Sequence, residues 1–394
     1  MKRLSILIAI VLAFVAPWSG SSASADQIAP NAAIERLFTS DKIDADWFAA
    51  SFLQQVTVAQ VQAIVDQFKS QLGAYQSVHP DGDHFSTELE KASIPTYISL
   101  DGTGRIVGLL FKAPVMRSKD LNAALAPFKQ LPGQVSLTIV SAGKPDTDYN
   151  ADKALAVGSA FKLAVLSAIK KQVDARRMSW SQPVTLRQDW KSLPSGILQT
   201  WPAGSPLTLF TVSALMISQS DNTAADIALR TVGRAAVQAE SPRNSPFLTT
   251  REAFQLKDPA NASLLAKWRN GDALARRGVL ASLAPLPLPS ASIFSGGVIA
   301  QDVEWFFTVK ELCSLMAGVA SLQLTSINPG VTDPALWTHV SYKGGSEPGV
   351  LNLTTQVTNK AGTTYCVSAT WNDTKPLDET KFELMYGTVL NTLE

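Results

Sequence analysis

Ser159 and Lys162 stand three residues apart in Gly158-Ser-Ala-Phe-Lys-Leu163, at the head of a run that is otherwise almost wholly apolar. On a helical turn that spacing sets hydroxyl and amine one above the other on a single face. The residues that follow (Leu163, Ala164, Val165, Leu166, Ala168, Ile169) are hydrophobic all round, the mark of a buried helix. A lysine at its start loses hydration, and desolvation lowers its pKa toward the range where the neutral amine is a usable base. A serine beside such an amine is a candidate activated nucleophile. Two further polar segments lie downstream, Ser220-Asp221-Asn222 and Tyr342-Lys343-Gly344-Gly345-Ser346.

Ser-x-x-Lys, then Ser-Asp-Asn, then Lys-x-Gly is the ordered three-part signature of active-site-serine penicillin-recognising enzymes. From about Gln134 onward the chain resembles class A β-lactamases and their penicillin-binding relatives. The wording Met216-Ile-Ser-Gln-Ser-Asp-Asn-Thr-Ala-Ala225 is especially close to the family's second motif. The whole chain is also similar to a narrower set of exported bacterial proteins, in which such a hydrolase follows a small α+β domain. Phe247-Leu-Thr-Thr-Arg-Glu252 and Lys343-Gly-Gly-Ser-Glu-Pro-Gly-Val350 are recurrent wording there. The esterase-like protein of clavulanic-acid gene clusters belongs to that set.

The chemistry assigns roles. Ser159 attacks a carbonyl to give an acyl-enzyme, and Lys162 accepts its proton. Ser220 relays protons toward the leaving group close to Lys343, and Asn222 bonds a substrate amide and braces Lys162. Developing negative charge on the carbonyl needs preorganised donors. The resemblance implies the backbone N–H groups of Ser159 and Ser346 for this, with Gly345 letting the strand approach the substrate without a side chain. Ser220 and Asn222 also suit the cap of a helix beginning at Thr223.

Two departures from the family pattern bear on mechanism. Gly344 stands where the family has Thr or Ser, which removes a hydroxyl able to bond a β-lactam carboxylate, worth about 1–3 kcal/mol. Ser346 is placed to substitute, while Glu347 beside it adds an opposing charge. The interval from Asn222 to Thr249 is also too short for the loop that carries the family's deacylating glutamate, and it holds no Glu-x-x-Leu-Asn. Glu240 and Glu252 are the nearest candidates. Thr249-x-x-Glu252 reads as a capping box, and Glu240, ahead of Ser241-Pro242, as a solvated loop residue. Hydrolysis of a β-lactam acyl-enzyme is therefore expected to be slow, with simple esters turned over using Lys162 or Lys343.

The elements that must hold these residues follow an α+β order. Residues 26–117 read as a first domain and 118–133 as a linker. Residues 134–394 read as a β-lactamase/transpeptidase-like domain, an antiparallel sheet flanked by helices plus an all-helical lobe. In the first domain, helical spacing over Val56–Val65 ends at Gly73. Strand-like runs follow at His84–Glu88, Pro95–Leu100 and Arg105–Phe111, with Asp101-Gly102 as a hairpin signal. Helices followed by an antiparallel sheet resemble the cone-shaped fold of nuclear-transport-factor and ketosteroid-isomerase relatives. His79, Asp81 and His84 fall in a polar turn around Pro80-Asp-Gly82, which is normal turn composition. That domain is read as structural or dimerising. In the second domain Val135–Val140 alternates like a strand. The stretch 155–318 is mostly helical, with 284–290 a loop. Trp337–Lys343, Val350–Val357 and Thr363–Trp371 read as strands, and Lys381–Leu393 as a closing helix. His339 shares the face of Lys343, about 13 Å along the strand, and reads as packing.

Composition excludes several function classes. No basic stripe suggests nucleic acid, and three histidines (His79, His84, His339) without ligand spacing make a metal or other cofactor unexpected. Cys313 and Cys366 read as separate buried thiols. Lys2 and Arg3, an apolar stretch Leu4–Ala16 and Ala23-Ser-Ala25 before Asp26 describe a signal peptide, cleaved after Ala25. Its loss takes the formal charge from +1 to −1. The expected protein is extracytoplasmic, without a stable membrane anchor, acting on a small-molecule β-lactam, ester or peptidoglycan-derived peptide, with a homodimer possible through its first domain. Two other readings stay open: a D-alanyl-D-alanine peptidase, and a non-catalytic binding or sensor module.

Overall fold

The computed structural model describes residues 28–112, 114–116 and 120–394. The leader read at residues 1–25 lies outside them. The chain forms two compact units of mixed helix and sheet. The first runs to Ala124 and takes in Gly387–Thr392; the second is Leu125–Tyr386 with Leu393–Glu394.

In the first unit, helices α1 (Pro30–Thr39), α2 (Ala50–Leu53) and α3 (Val58–Leu72) precede the strands. Thr57 and Gln60 form a reciprocal capping box at the start of α3. Gly73 ends it at φ +89°, where a Cβ would collide with Glu90. Strands β1 (Tyr75–Asp81), β2 (His84–Leu89), β3 (Ala92–Leu100) and β4 (Ile106–Phe111) then form an antiparallel sheet in sequence order, with β5 (Val115–Met116) pairing β3. Strand β1 was not legible as one, because its residues are mostly polar and its faces half-exposed.

The Asp101-Gly102 signal marks a hairpin, but its loop runs on to Arg105. The Asp101 carboxylate accepts from the backbone N–H groups of Thr103 and Arg105 at 2.8 and 3.0 Å. His84 Nδ1 is 3.0 Å from its neighbour Asp83, and the ring stacks on Tyr97. The core is Ile34, Leu37, Phe38, Val61, Val65 and Ile94 with their neighbours.

The second unit opens with α4 (Leu121–Leu125), which straddles its boundary, and a 3-10 turn over Ala126–Gln130. Strands β6 (Gln134–Ser141), β7 (Thr147–Tyr149) and β8 (Leu155–Ala156) follow. Then come α5 (Lys162–Asp174), the small ladder β9 (Pro183–Thr185) with β10 (Pro206–Thr208), α6 (Leu209–Ser218), α7 (Asn222–Val232) and α8 (Arg234–Glu240). Helices α9 (Thr250–Lys257), α10 (Ala262–Asn270) and α11 (Ala273–Leu283) complete the inserted lobe. The chain returns through β11 (Phe306–Phe307) and α12 (Val309–Val319) to β12 (His339–Glu347), β13 (Val350–Thr358) and β14 (Thr364–Asn372), and closes in α13 (Glu379–Asn391). The sheet order is β12-β13-β14-β6-β7, antiparallel throughout, so first and last parts of this unit share one sheet. Strand β12 is its edge.

Helix α5 is buried from Lys162 through Ile169. Burying each of Leu163, Val165, Leu166 and Ile169 contributes about 1.5–3 kcal/mol, which offsets the desolvation of the lysine at its start. The cysteines are a correction. Cys313 on α12 and Cys366 on β14 are joined as a disulfide, with Cα atoms 5.7 Å apart. Helix α12 lies against β14, so their separation of 53 residues concealed contact between the two elements.

Candidate active site

Ser159 lies on a 3-10 turn (Gly158–Phe161) that runs directly into α5, whose first residue is Lys162. In a 3-10 turn side chains at i and i+3 eclipse, and Lys162 Nζ stands 3.0 Å from Ser159 Oγ. The amine also meets the Ser220 carbonyl, Ser220 Oγ at 3.2 Å and Asn222 Oδ1 at 2.7 Å. The Asn222 amide is oriented by donating from Nδ2 to the Leu193 carbonyl at 3.2 Å. Two of these groups, a carbonyl and an amide oxygen, can only accept. A neutral amine can donate to both of them and still turn its lone pair to the serine hydroxyl.

The second segment is held by backbone strain and a cap. Ser220 adopts φ +54°, a left-handed conformation that costs about 1–2 kcal/mol for a residue with a side chain. Asp221, fully buried, fixes it. Its Oδ1 accepts from Ala224 N and its Oδ2 from Ile197 N and Leu198 N. Asp221 is therefore the N-cap of α7, and the helix begins at Asn222 instead of Thr223. Ser195 Oγ donates to the Ser220 carbonyl at 2.6 Å.

Lys343 reaches the same hydroxyl from the edge strand. Its Nζ is 3.0 Å from Ser220 Oγ and also bonds the Gly344 carbonyl. Ser220 thus bridges two buried amines. Burial pushes Lys162 well below the usual lysine range, the nearby Lys343 pushes it further, and Asp221 and Asp226 oppose. Burial alone brings Lys343 down to about 7.

Gly345 is required by contact. A Cβ there would lie 2.3 Å from Ser159 N and 2.5 Å from Ala160 N. One on Gly158, at φ +50°, would lie 3.2 Å from Ser346 N. The Ser159 turn and the strand around Ser346 therefore pack backbone against backbone, without room for a side chain between them. Gly344 has its own cause: an added Cβ would sit 2.2 Å from the Tyr342 hydroxyl. The tyrosine occupies the room that a Thr or Ser at 344 would take.

The glutamates sort differently from expectation at one position. Glu252 closes the capping box with Thr249, as predicted, and pairs with Arg234 at 2.7 Å. Glu240 is a correction: it ends α8 with its carboxylate buried, taking hydrogen bonds from Ser167 Oγ and Lys171 Nζ. Glu347 does not stand as an uncompensated charge, because Lys257 pairs with it and with Glu304. His339 Nε2 contacts the Ala320 carbonyl at 3.0 Å and Ser341 Oγ at 2.9 Å, a packing role.

A cavity of about 290 Å³ opens beside Ser159, with Asn222, Phe254, Phe294 and Glu304 in its walls. Lys257 and Glu304 escaped the sequence reading. The only signal was a charged residue inside the apolar run Val303-Glu-Trp-Phe-Phe307. Asp226 was also missed. It accepts from Thr250 N, Thr250 Oγ1 and Arg251 N, tying α7 to the start of α9, and burial raises it to about 6 against those bonds.

Residues 116–243 match the sequence model of the Beta-lactamase2 family, described as a β-lactamase enzyme family. No curated protein matches the chain. Among solved structures it is similar to a β-lactamase from Sphaerobacter thermophilus, 22% identical, over 69% of this chain and 96% of that one with a TM-score of 0.48. It is similar to PBP-A at 15% identity, over 69% and 94%, TM-score 0.47. An ancestral class A β-lactamase is 15% identical over 70% and 100%, TM-score 0.49.

Proposed function

We propose that the protein is an exported serine hydrolase of the β-lactamase-related class that works through an acyl-enzyme on Ser159. The observation that carries this reading is the placement of the Lys162 amine. Lys162 Nζ is 3.0 Å from Ser159 Oγ while the Ser220 carbonyl and Asn222 Oδ1 engage its other directions. The neutral amine takes the hydroxyl proton as Oγ bonds to the carbonyl carbon. The N–H groups of Ser159 and Ser346 receive the negative oxygen. Lys162 passes its proton through Ser220 to the departing oxygen or nitrogen.

The substrate class is an ester or amide whose acyl part fits an apolar wall, with β-lactams acylating the serine and leaving slowly. Supporting this, Tyr342 fills the space of the hydroxyl that would bond a β-lactam carboxylate, and Lys257, the cation nearest Glu347, is already paired twice. The first unit is assigned a structural or dimerising role on a cone-type fold, and the residue pattern before Asp26 supports export. No helix among the described residues is long and apolar enough to cross a membrane.

Intact-mass measurement after incubation with benzylpenicillin and with p-nitrophenyl acetate tests the reading. Wild type gains an adduct that maps to Ser159, persistent with penicillin and transient with the ester; Ser159→Ala gains none. Undiminished ester and cephalosporin hydrolysis by Ser159→Ala would overturn it. Release of D-alanine from a muropeptide would shift the assignment to a D-alanyl-D-alanine peptidase.

A further inference from the structure

The wall of the cavity beside Ser159 holds a second group of buried ionisable side chains, apart from Lys162 and Lys343. Lys257, the last residue of α9, and Glu304, two residues before β11, each have only 1% of the side chain exposed. Glu347, at the end of β12, completes the group. Lys257 Nζ bonds one oxygen of each acid. All three line the same cavity as Ser159.

Backbone register fixes where Glu304 stands. Phe306 pairs with Ala156, and Val157 N donates to the Trp305 carbonyl at 3.1 Å. Glu304 immediately precedes Trp305, Gly158 immediately follows Val157, and both line the cavity with Ser159. The Trp305 ring stacks on Phe161 at 3.9 Å between centroids, which holds that alignment. From the other side, Gly345 packs on the Ser159 nitrogen, and Glu347 follows two residues later. The two acids therefore reach the cavity from separate segments, one leading into β11 and one ending β12.

The second oxygen of Glu304 is buried and has no hydrogen-bond partner among the described residues. A buried acceptor without a donor costs free energy unless it holds a proton or a ligand. Two carboxyls beside one ammonium balance electrically when they share one proton, which leaves one carboxylate to act as a base.

We propose that Glu304, held by Lys257 and Glu347, activates the water that releases the acyl group from Ser159. This rests on the acyl-enzyme reading above. Water oxygen bonds to the acyl carbonyl carbon as one of its protons passes to the Glu304 carboxylate. The carbon–Oγ bond then breaks, the proton taken up by Glu304 passes to Ser159 Oγ, and the carboxylic acid leaves. Glu304 returns to the carboxylate and Lys162, which gave its proton to the first leaving group, stays neutral, so each turnover consumes one ester and one water. The role sought near Glu240 and Glu252 thereby falls to a residue far downstream of both.

The charges that bear on Glu304 come from two packed elements: Glu347 on β12 and Lys257 on α9. Asp302 on its own segment is paired outward with Arg269 of α10. Burial and Glu347 raise Glu304 well above the carboxylate range against the opposing pull of Lys257. The deacylation limb of the pH profile accordingly rises with pH above the ordinary carboxylate range.

Stopped-flow hydrolysis of p-nitrophenyl acetate by the mature protein separates the two steps, the burst reporting acylation and the steady phase deacylation. Glu304→Gln should keep the burst, lose about 100-fold or more in the steady phase, and accumulate acyl-Ser159 by mass. An unchanged steady phase in that variant overturns the role of Glu304 and leaves the serine mechanism standing. Absence of any burst or adduct in wild type instead sinks the acyl-enzyme reading itself. Should Glu304→Gln fail to fold, the wild-type steady phase decides: a rate that rises with pH, with Glu347→Gln moving the limb downward, supports the assignment. A flat profile from about pH 5 to 9 overturns it.

Discussion

Lys162 and Lys257 are both buried lysines, and their surroundings push them in opposite directions. Around Lys162 the close partners are neutral oxygens and a second amine, so burial prevails and pushes the amine well below the usual lysine range. Around Lys257 two carboxylates outweigh the same burial, and the ammonium is held above the usual lysine range. Depth alone does not decide a buried amine's charge; the sign of its nearest partners does. The molecule thus sets a lowered amine against Ser159 and a cation-anchored acid pair in the wall of the cavity beside it.

The largest expected effect comes from removing the first lysine. Lys162→Met should slow acylation of Ser159 by about 10³-fold, read from the burst phase, while Lys257→Met should leave the serine able to acylate. The second change acts on stability. It strands two carboxyls in a buried site, which costs about 3–5 kcal/mol and is measured by urea unfolding. Equal losses of acylation in both variants would erase the contrast.

Buried acids and the buried Lys343 respond to pH in opposite directions. Asp226, with a folded pKa above its unfolded one, contributes stability that is present in acid and weakens as pH rises through about 6, and Glu304, also raised, acts in the same direction. Lys343 is lowered from 10.5 to about 7. The unfolded chain keeps that proton across this window, so stability rises with pH there. These groups together give a minimum near neutrality. Lys343→Met should weaken the alkaline limb, to which Lys162 contributes in the same direction, and raise the melting temperature at pH 7 while impairing turnover; an unchanged alkaline limb would contradict this. The smallest effect is local: Thr249→Ala removes the cap of α9, the helix that carries Lys257, at about 1 kcal/mol in a thermal melt.

What could be read beforehand followed from locality. Ser159 and Lys162 share one turn, Ser220 and Asn222 one segment, and Lys343, Gly345 and Ser346 one strand, so short motifs exposed them. The C-terminal strands and closing helix were legible because their alternation and helical spacing are strong. Lys257, Glu304 and Glu347 come from segments 47 and 90 residues apart, joined only by folding. Their charges look individually like solvated positions. The cysteines misled for the same reason, since helix-on-strand packing sets their distance. Glu240 read as exposed because Ser241-Pro242 marks a chain reversal, while the carboxylate turns inward onto Ser167 and Lys171. Tyr342 explains Gly344 only once the ring's position against the strand is known.

The central claim is that Lys162 is uncharged at neutral pH. Carbon-13 NMR of side-chain-labelled lysine, with the Lys162 signal identified by its loss in Lys162→Met, measures this directly. The account predicts a signal already in the neutral-amine position at pH 7, titrating well below 10.5. A Lys162 signal that stays protonated through pH 9 and titrates near 10.5 would contradict it.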